Sequence, residues 1–209
     1  SIKMVLNMLM LNLPVEKIGG EMYELLTMAN RTTEDVFSLL DNLLKWTKSQ
    51  IGNLNVVYQD VDAVEVVDSV IDVFNMVAGL KKITIREEKP EKLPVCTDID
   101  MLKTIIRNLL SNAIKFSNEN SEVLVKMEEQ GDTVVVSVKD SGCGIDEEGQ
   151  QKLLHTDTHF STFGTNNEEG SGLGLLLCQD FAVKIGGKLW FTSKEGEGST
   201  FYFSIPLKK

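Results

Sequence analysis

The chain has 209 residues, 42% of them apolar and 25% charged, which excludes a disordered chain and allows one or two domains with real cores. Its 21 basic and 31 acidic side chains leave a formal charge of −10, which excludes a general nucleic-acid binder, because phosphate affinity is built largely from Lys and Arg. No apolar run approaches the roughly 20 residues that span a bilayer, and Cys96, Cys143 and Cys178 lack the spacing of a metal or redox pair, so a reducing compartment fits.

Residues 1–13 read as the end of a helix rich in Met and Leu, and Pro14 with Gly19-Gly20 brackets a short loop. From Glu21 to about Ser49 there is neither Gly nor Pro. Apolar residues recur there at Met22, Leu25, Ala29, Val36, Leu39, Leu43 and Trp46, with Thr32 in the one gap of a three-four alternation. Leu26, Phe37, Leu40 and Leu44 widen the seam into a face that can be buried on two sides. A helix of this length reaches roughly 45 Å at about 1.5 Å per residue. With the helix before it, it makes an antiparallel hairpin. Two hairpins make a four-helix bundle, so a homodimer is expected, the alternative being a helix packed within its own monomer.

From Asn53 onward the pattern is that of a compact α/β domain, so the expected division is 1–52 and 53–209. Residues 55–59 alternate weakly like an edge strand. Asp62 is placed to cap a helix running to Ala78, and Gly79 ends it. Short strands follow at 83–86 and 95–97, then Asp98 as a second cap and a helix over 99–116. Residues 123–129 and 133–139 form a hairpin across Gln130-Gly131-Asp132. Residues 156–170 are polar, contain Gly and have no apolar period, so they read as a loop. A helix over 172–184 ends at Gly186-Gly187, and 188–193 with 199–206 forms a last hairpin across Glu197-Gly198.

Four segments carry chemistry. In Asn108-Leu-Leu-Ser-Asn112-Ala-Ile-Lys115, the two amides and the ammonium share one helix face, which suits hydrated Mg²⁺ and phosphate oxygens or, alternatively, plain solvent. Asp140-Ser-Gly142-Cys-Gly144-Ile145 follows a strand directly. Its glycines let backbone approach a flat ligand, and its carboxylate can accept from an exocyclic amine. Gly170-Ser-Gly172-Leu173-Gly174-Leu175 opens a helix whose N-terminal amides favour phosphate. It is not a dinucleotide fingerprint, since no βαβ unit surrounds it, nor a Walker A loop, since no Gly-Lys-Ser/Thr follows. Gly196-Glu-Gly198-Ser199-Thr200-Phe201 alone is a Gly-rich turn.

In this order and spacing the four segments resemble the N, G1 and G2 boxes and the closing Gly box of bacterial sensor histidine kinases, with Phe160 where the F box falls. The resemblance is strong over 53–209 and weaker over 1–50. It implies an α+β fold: a Bergerat-type α/β sandwich, a mixed sheet packed on helices, preceded by an α-helical dimerisation hairpin. The implied ligands are ATP and Mg²⁺. Asn112 would ligate Mg²⁺, Asn108 would support the metal or phosphate shell and Lys115 would meet the phosphates. Asp140 would read the adenine amine, with Gly142, Gly144 and Ile145 against the base and Thr200 near Asp140 at the base of the pocket. Residues 156–170, including Phe160 and Gly170, would form a mobile lid, and Gly172, Leu173 and Gly174 would bring amides to the phosphates. The implied partners are a second copy of the chain and a response-regulator receiver domain, with no nucleic acid and no membrane contact. The chain is read as a cytoplasmic domain, any membrane anchor lying outside it.

Two departures stand out. The family's phosphoacceptor is a His on the first hairpin helix, but the two histidines here, His155 and His159, fall near the lid. The 209 residues are therefore expected to bind nucleotide without phosphorylating themselves. Between Lys152 and Lys184 there is no Lys or Arg, whereas Asp157, Glu168, Glu169 and Asp180 lie in that span. A degenerate dimerisation module without turnover and a non-kinase Bergerat ATPase stay open as readings. The second is disfavoured by Asn108, which stands where a carboxylate would activate water.

Overall fold

The computed structural model describes residues 55–153, 164–165 and 172–207, together with scattered positions between 20 and 47. The chain divides into two compact units, Ser1–Ile51 and Gly52–Lys209. In the first unit every described residue is helical. Met22, Leu25, Met28, Val36, Leu40 and Leu44 are each at least half exposed, and Leu43 is 38% exposed. The expected helix end over 1–13, the loop at Pro14, Leu39 and Trp46 lie outside the described residues, as do Phe160, Gly170, His155 and His159.

The second unit contains β1 (Gln59–Asp62), α1 (Ala63–Leu80), β2 (Thr84–Glu88), β3 (Pro94–Thr97), α2 (Ile99–Phe116), β4 (Glu122–Gln130), β5 (Thr133–Lys139), α3 (Glu147–Lys152), α4 (Leu173–Lys184), β6 (Leu189–Lys194) and β7 (Gly198–Pro206). Five strands form a mixed sheet in the order β2-β4-β5-β7-β6. Only β2 and β4 pair in parallel. β1 and β3 make a separate antiparallel pair.

Local chemistry sets the helix starts. Asp62 Oδ1 accepts from Val64 N and Leu93 N, both at 3.0 Å, which opens α1 and pins the chain before β3. Asp98 Oδ1 accepts from Asp100 N and Met101 N at 3.0 Å and opens α2. Its Oδ2 takes Val57 N at 2.9 Å. That bond explains the misplaced first strand: the backbone at 57 is bonded to a side chain, so the ladder lies at Gln59–Asp62 instead of 55–59. The short helix α3 is an element the apolar period did not announce. Asp146 Oδ1 caps it through Gly149 N at 2.7 Å.

α2 packs between α1 and α4 and lies on the sheet. Leu102, Ile105, Ile106, Leu109 and Leu110 of α2 are buried, as are Val134, Val136 and Val138 of β5 and Phe201, Phe203 and Ile205 of β7. Removing such side chains from water drives the packing, at about 1.5–3 kcal/mol each. The alternation of β7 places Tyr202 on the opposite face, where it stacks on Trp190 with ring centroids 5.3 Å apart.

Candidate functional site

Asp140 sits just past the end of β5 and is 3% exposed. Its N–H donates to Ser199 O at 2.9 Å, which extends the β5–β7 pairing by one residue. Its Oδ1 accepts from Gly142 N at 2.9 Å and Ser199 N at 3.2 Å. Oδ2 accepts nothing among the described residues. Burial pushes the Asp140 carboxyl above the ordinary aspartate range, and the donors on Gly142 and Ser199 hold it part of the way back. A buried carboxylate with one oxygen fixed and the other spare can accept one hydrogen bond from a neutral donor such as an exocyclic amine.

The loop after Asp140 is held on two sides. At Gly142 a Cβ would overlap the backbone carbonyl of Phe116, the last residue of α2. Gly144, at φ +66°, lies against the carbonyl of Lys194. Ile145 N donates to Ser193 Oγ at 2.9 Å, and Gly196 N donates to Cys143 O at 2.7 Å. The glycines are thus required by backbone packing in the protein itself. Cys143 is exposed, and neither it nor Cys96 nor Cys178 is in a disulfide among the described residues.

Thr200 and Ser199 sit differently against Asp140. In β7 it is Ser199, 7% exposed, that meets Asp140. Thr200 pairs in register with Lys139 and Thr192 and falls, by alternation, with Tyr202 on the other face. Thr200 still lines a shallow opening with Asp140, Ser193 and Ser199. The inward period of Phe201, Phe203 and Ile205 was the signal that could have identified Ser199.

The amide side of the site is built on α2. Asn108, Asn112 and Lys115 are half-buried. Asn108 Nδ2 donates to Thr104 O at 2.9 Å. Its Oδ1 lies where a Cβ on Gly174 would come within 2.7 Å, so Gly174 lets the start of α4 close on α2. The ammonium of Lys115 lies 4.8 Å from the Phe116 ring centroid. Gly172 caps α4 in the left-handed conformation at φ +67° and provides no side-chain cap, and no acidic residue occupies the first turn. That terminus is electrostatically suited to an anion. The fold therefore brings the Asn108 and Gly174 segments together, and the Asp140 and Phe116 segments together.

The donor set can be tested against a nucleotide with Mg²⁺. Among the described residues no three His, Cys, Asp or Glu side chains are grouped to hold a metal. A divalent ion would therefore depend on an Asn oxygen and on oxygens the ligand brings. Mg²⁺ fits such a site, since it keeps waters and substrate phosphates rather than taking an all-protein cage.

Residues 97–209 match the family model of "Histidine kinase-, DNA gyrase B-, and HSP90-like ATPase". The adaptive-response sensory kinase SasA of Rippkaea orientalis is 30% identical over 171 residues, 81% of this chain and 43% of that protein. The sensor histidine kinase WalK of Bacillus subtilis is 28% identical over 186 residues, 88% of this chain and 30% of that protein. The chain thus spans less than half the length of either relative. Among solved structures, the nucleotide-free catalytic domain of the histidine kinase ThkA aligns with a TM-score of 0.63 at 31% identity, over 72% of this chain and 95% of that domain.

Proposed function

The chain belongs to the histidine kinase-, DNA gyrase B- and HSP90-like ATPases, and from that premise we propose that residues 53–209 bind ATP with Mg²⁺ as the catalytic domain of a sensor histidine kinase. The observation that carries the reading is Asp140: a buried carboxylate, anchored through one oxygen, at the start of a loop held in place by the Phe116 and Lys194 carbonyls. In this reading it accepts from the adenine amine. Ile145 lies against the base, Asn112 and Lys115 meet metal and phosphates, and the start of α4 contributes amides. Ser199 is hydrogen-bonded to Asp140, and Thr200 lines the same opening.

ATP supplies a γ-phosphoryl group. In the intact protein its acceptor is a His on a helical bundle, and an Asp of a response-regulator receiver domain takes it next. The exposed apolar side chains at Met22, Leu25, Met28, Val36, Leu40 and Leu44 support a homodimer through that helix. His155 and His159 lie outside the helical segment, so the 209 residues are expected to bind nucleotide without self-phosphorylation.

With no Lys or Arg between 152 and 184, the reading further expects modest affinity that depends strongly on Mg²⁺. Calorimetric titration with ADP and a non-hydrolysable ATP analogue, with Mg²⁺ and with EDTA, tests both points. Saturable binding lost in Asp140→Ala supports the site. Equal affinity in EDTA removes the role given to the metal. No binding by folded protein at millimolar nucleotide removes the kinase reading and leaves a dimerisation module.

A further inference from the structure

The last carbonyls of a helix have no partners within it. At the end of α2 they are met from far along the chain. Lys81, in the turn after α1, is only 8% exposed. Its Nζ donates to Ile114 O at 3.0 Å, Lys115 O at 2.9 Å and Thr165 Oγ1 at 2.6 Å. Thr165 N donates to Lys115 O at 3.2 Å. The Thr165 hydroxyl also lies 2.8 Å from Ser117 O and 3.1 Å from Lys115 O, as donor to one of them. Two distant segments therefore converge on one helix end, Lys81 and Thr165 being 84 residues apart.

This arrangement is more specific than a helix stop needs. A glycine just past the helix commonly satisfies such carbonyls, and a buried ammonium persists only where it is paired. Here the cation meets the negative end of the helix dipole and at the same time holds a threonine hydroxyl. The acceptor they share is the carbonyl of Lys115. That residue follows Asn112 by three positions on the face assigned to metal and phosphate.

We propose that Lys81 is a positioning residue for the phosphate end of the nucleotide site, fastening Thr165 to the C-terminus of the helix that presents Asn112 and Lys115. The proposal rests on the nucleotide reading above. The base is assigned to Asp140, whose loop packs on the Phe116 carbonyl beside this helix end, and the phosphates to the Lys115 face that Lys81 holds directly, so the effect of Lys81 falls chiefly on ligands that carry phosphate.

The test uses Lys81→Met and Thr165→Val, with Thr165→Ser as the variant that keeps the hydroxyl. Amide hydrogen exchange without ligand is read at Thr165, and calorimetric affinity is measured for Mg-ADP and for adenosine. In Lys81→Met the Thr165 amide is expected to exchange about tenfold faster, and Mg-ADP to bind about tenfold more weakly while adenosine is unchanged, a loss of one bond of ordinary strength. Thr165→Val follows the same pattern and Thr165→Ser matches wild type. Unchanged exchange overturns the fastening. Equal weakening of both ligands, with a lowered melting temperature, reduces Lys81 to a stabilising residue and overturns the positioning role. If Lys81→Met does not fold, Thr165→Val, at an exposed position, decides the matter. Wild-type protein that binds neither ligand defeats the nucleotide reading and the positioning role with it, while exchange still decides whether Lys81 holds Thr165.

Discussion

At the Asp140 end of the site, residues 140–145 are gripped by main chain: the Phe116 carbonyl on one side and the β6–β7 turn on the other. At the α2 face, Asn108 and Lys115 meet their surroundings through side chains, and the helix end beneath them is tied by Lys81 and Thr165. A loop held by backbone can be shaped before a ligand arrives, so binding there loses little to ordering. Polar side chains can change partners, and a charged ligand must draw them to itself. Under the proposed function, base recognition would fall to the preformed end and phosphate recognition to the end that Mg²⁺ and charge would complete.

The largest effect is expected at the preformed end. Asp140→Ala should weaken nucleotide binding by at least about 100-fold, because a pocket built around one buried polar contact discriminates strongly against its loss. Titration with ADP checks this, and a drop of only a few-fold would place recognition elsewhere. Gly142→Val tests the backbone grip itself. Its side chain must displace the Phe116 carbonyl, and about 3 kcal/mol of stability is expected to go. Thermal unfolding should register a fall of roughly 6–12 °C.

A subtler contrast comes from the other end. Asn112→Ala should raise the Kd for Mg-ADP about tenfold and leave the EDTA value unchanged, the signature of a metal ligand. A loss of equal size in EDTA would instead make Asn112 a contact to the nucleotide. Ser193→Ala removes the acceptor of Ile145 N and should cost about 1 kcal/mol of stability with the spacing of Asp140 kept. Denaturant unfolding beside a nucleotide titration separates the two effects.

The smallest effect is on pH dependence. The folded state raises the Asp140 pKa, so it holds that proton more tightly than the unfolded chain does. The contribution is fully present below the unfolded value near 3.9 and is lost as pH rises through the folded value. Asp140→Asn should therefore flatten this part of the stability profile and leave the neutral-pH melting temperature at or above wild type, while nucleotide binding is lost. A lower melting temperature at neutral pH would mean that the ionised carboxylate stabilises the loop.

Much of this architecture is legible one segment at a time. Asp62 and Asp98 announce their helices because a cap acts on amides two or three residues away. The hairpin across Gly131-Asp132 and the inward period of β7 follow from turn chemistry and alternation. The order of the Asn, Asp and Gly segments carries the family. What misled the reading of Asn55 to Gln59 was a single bond from Val57 N to Asp98 Oδ2, across 41 residues. That Ser199 rather than Thr200 hydrogen-bonds Asp140 depends on strand phase, since in a strand one residue exchanges the faces.

By itself, then, the sequence determined the α+β class, the starts of α1 and α2, the central hairpin and which segments carry chemistry, because each depends on neighbours within a few positions. Tertiary structure alone decided that Ser199 meets Asp140, that Gly142 and Gly144 are demanded by the Phe116 and Lys194 carbonyls, and that Lys81 closes the end of α2. Those contacts join residues from 26 to 59 positions apart. No local period encodes such pairings, since they exist only once the core has brought the segments together.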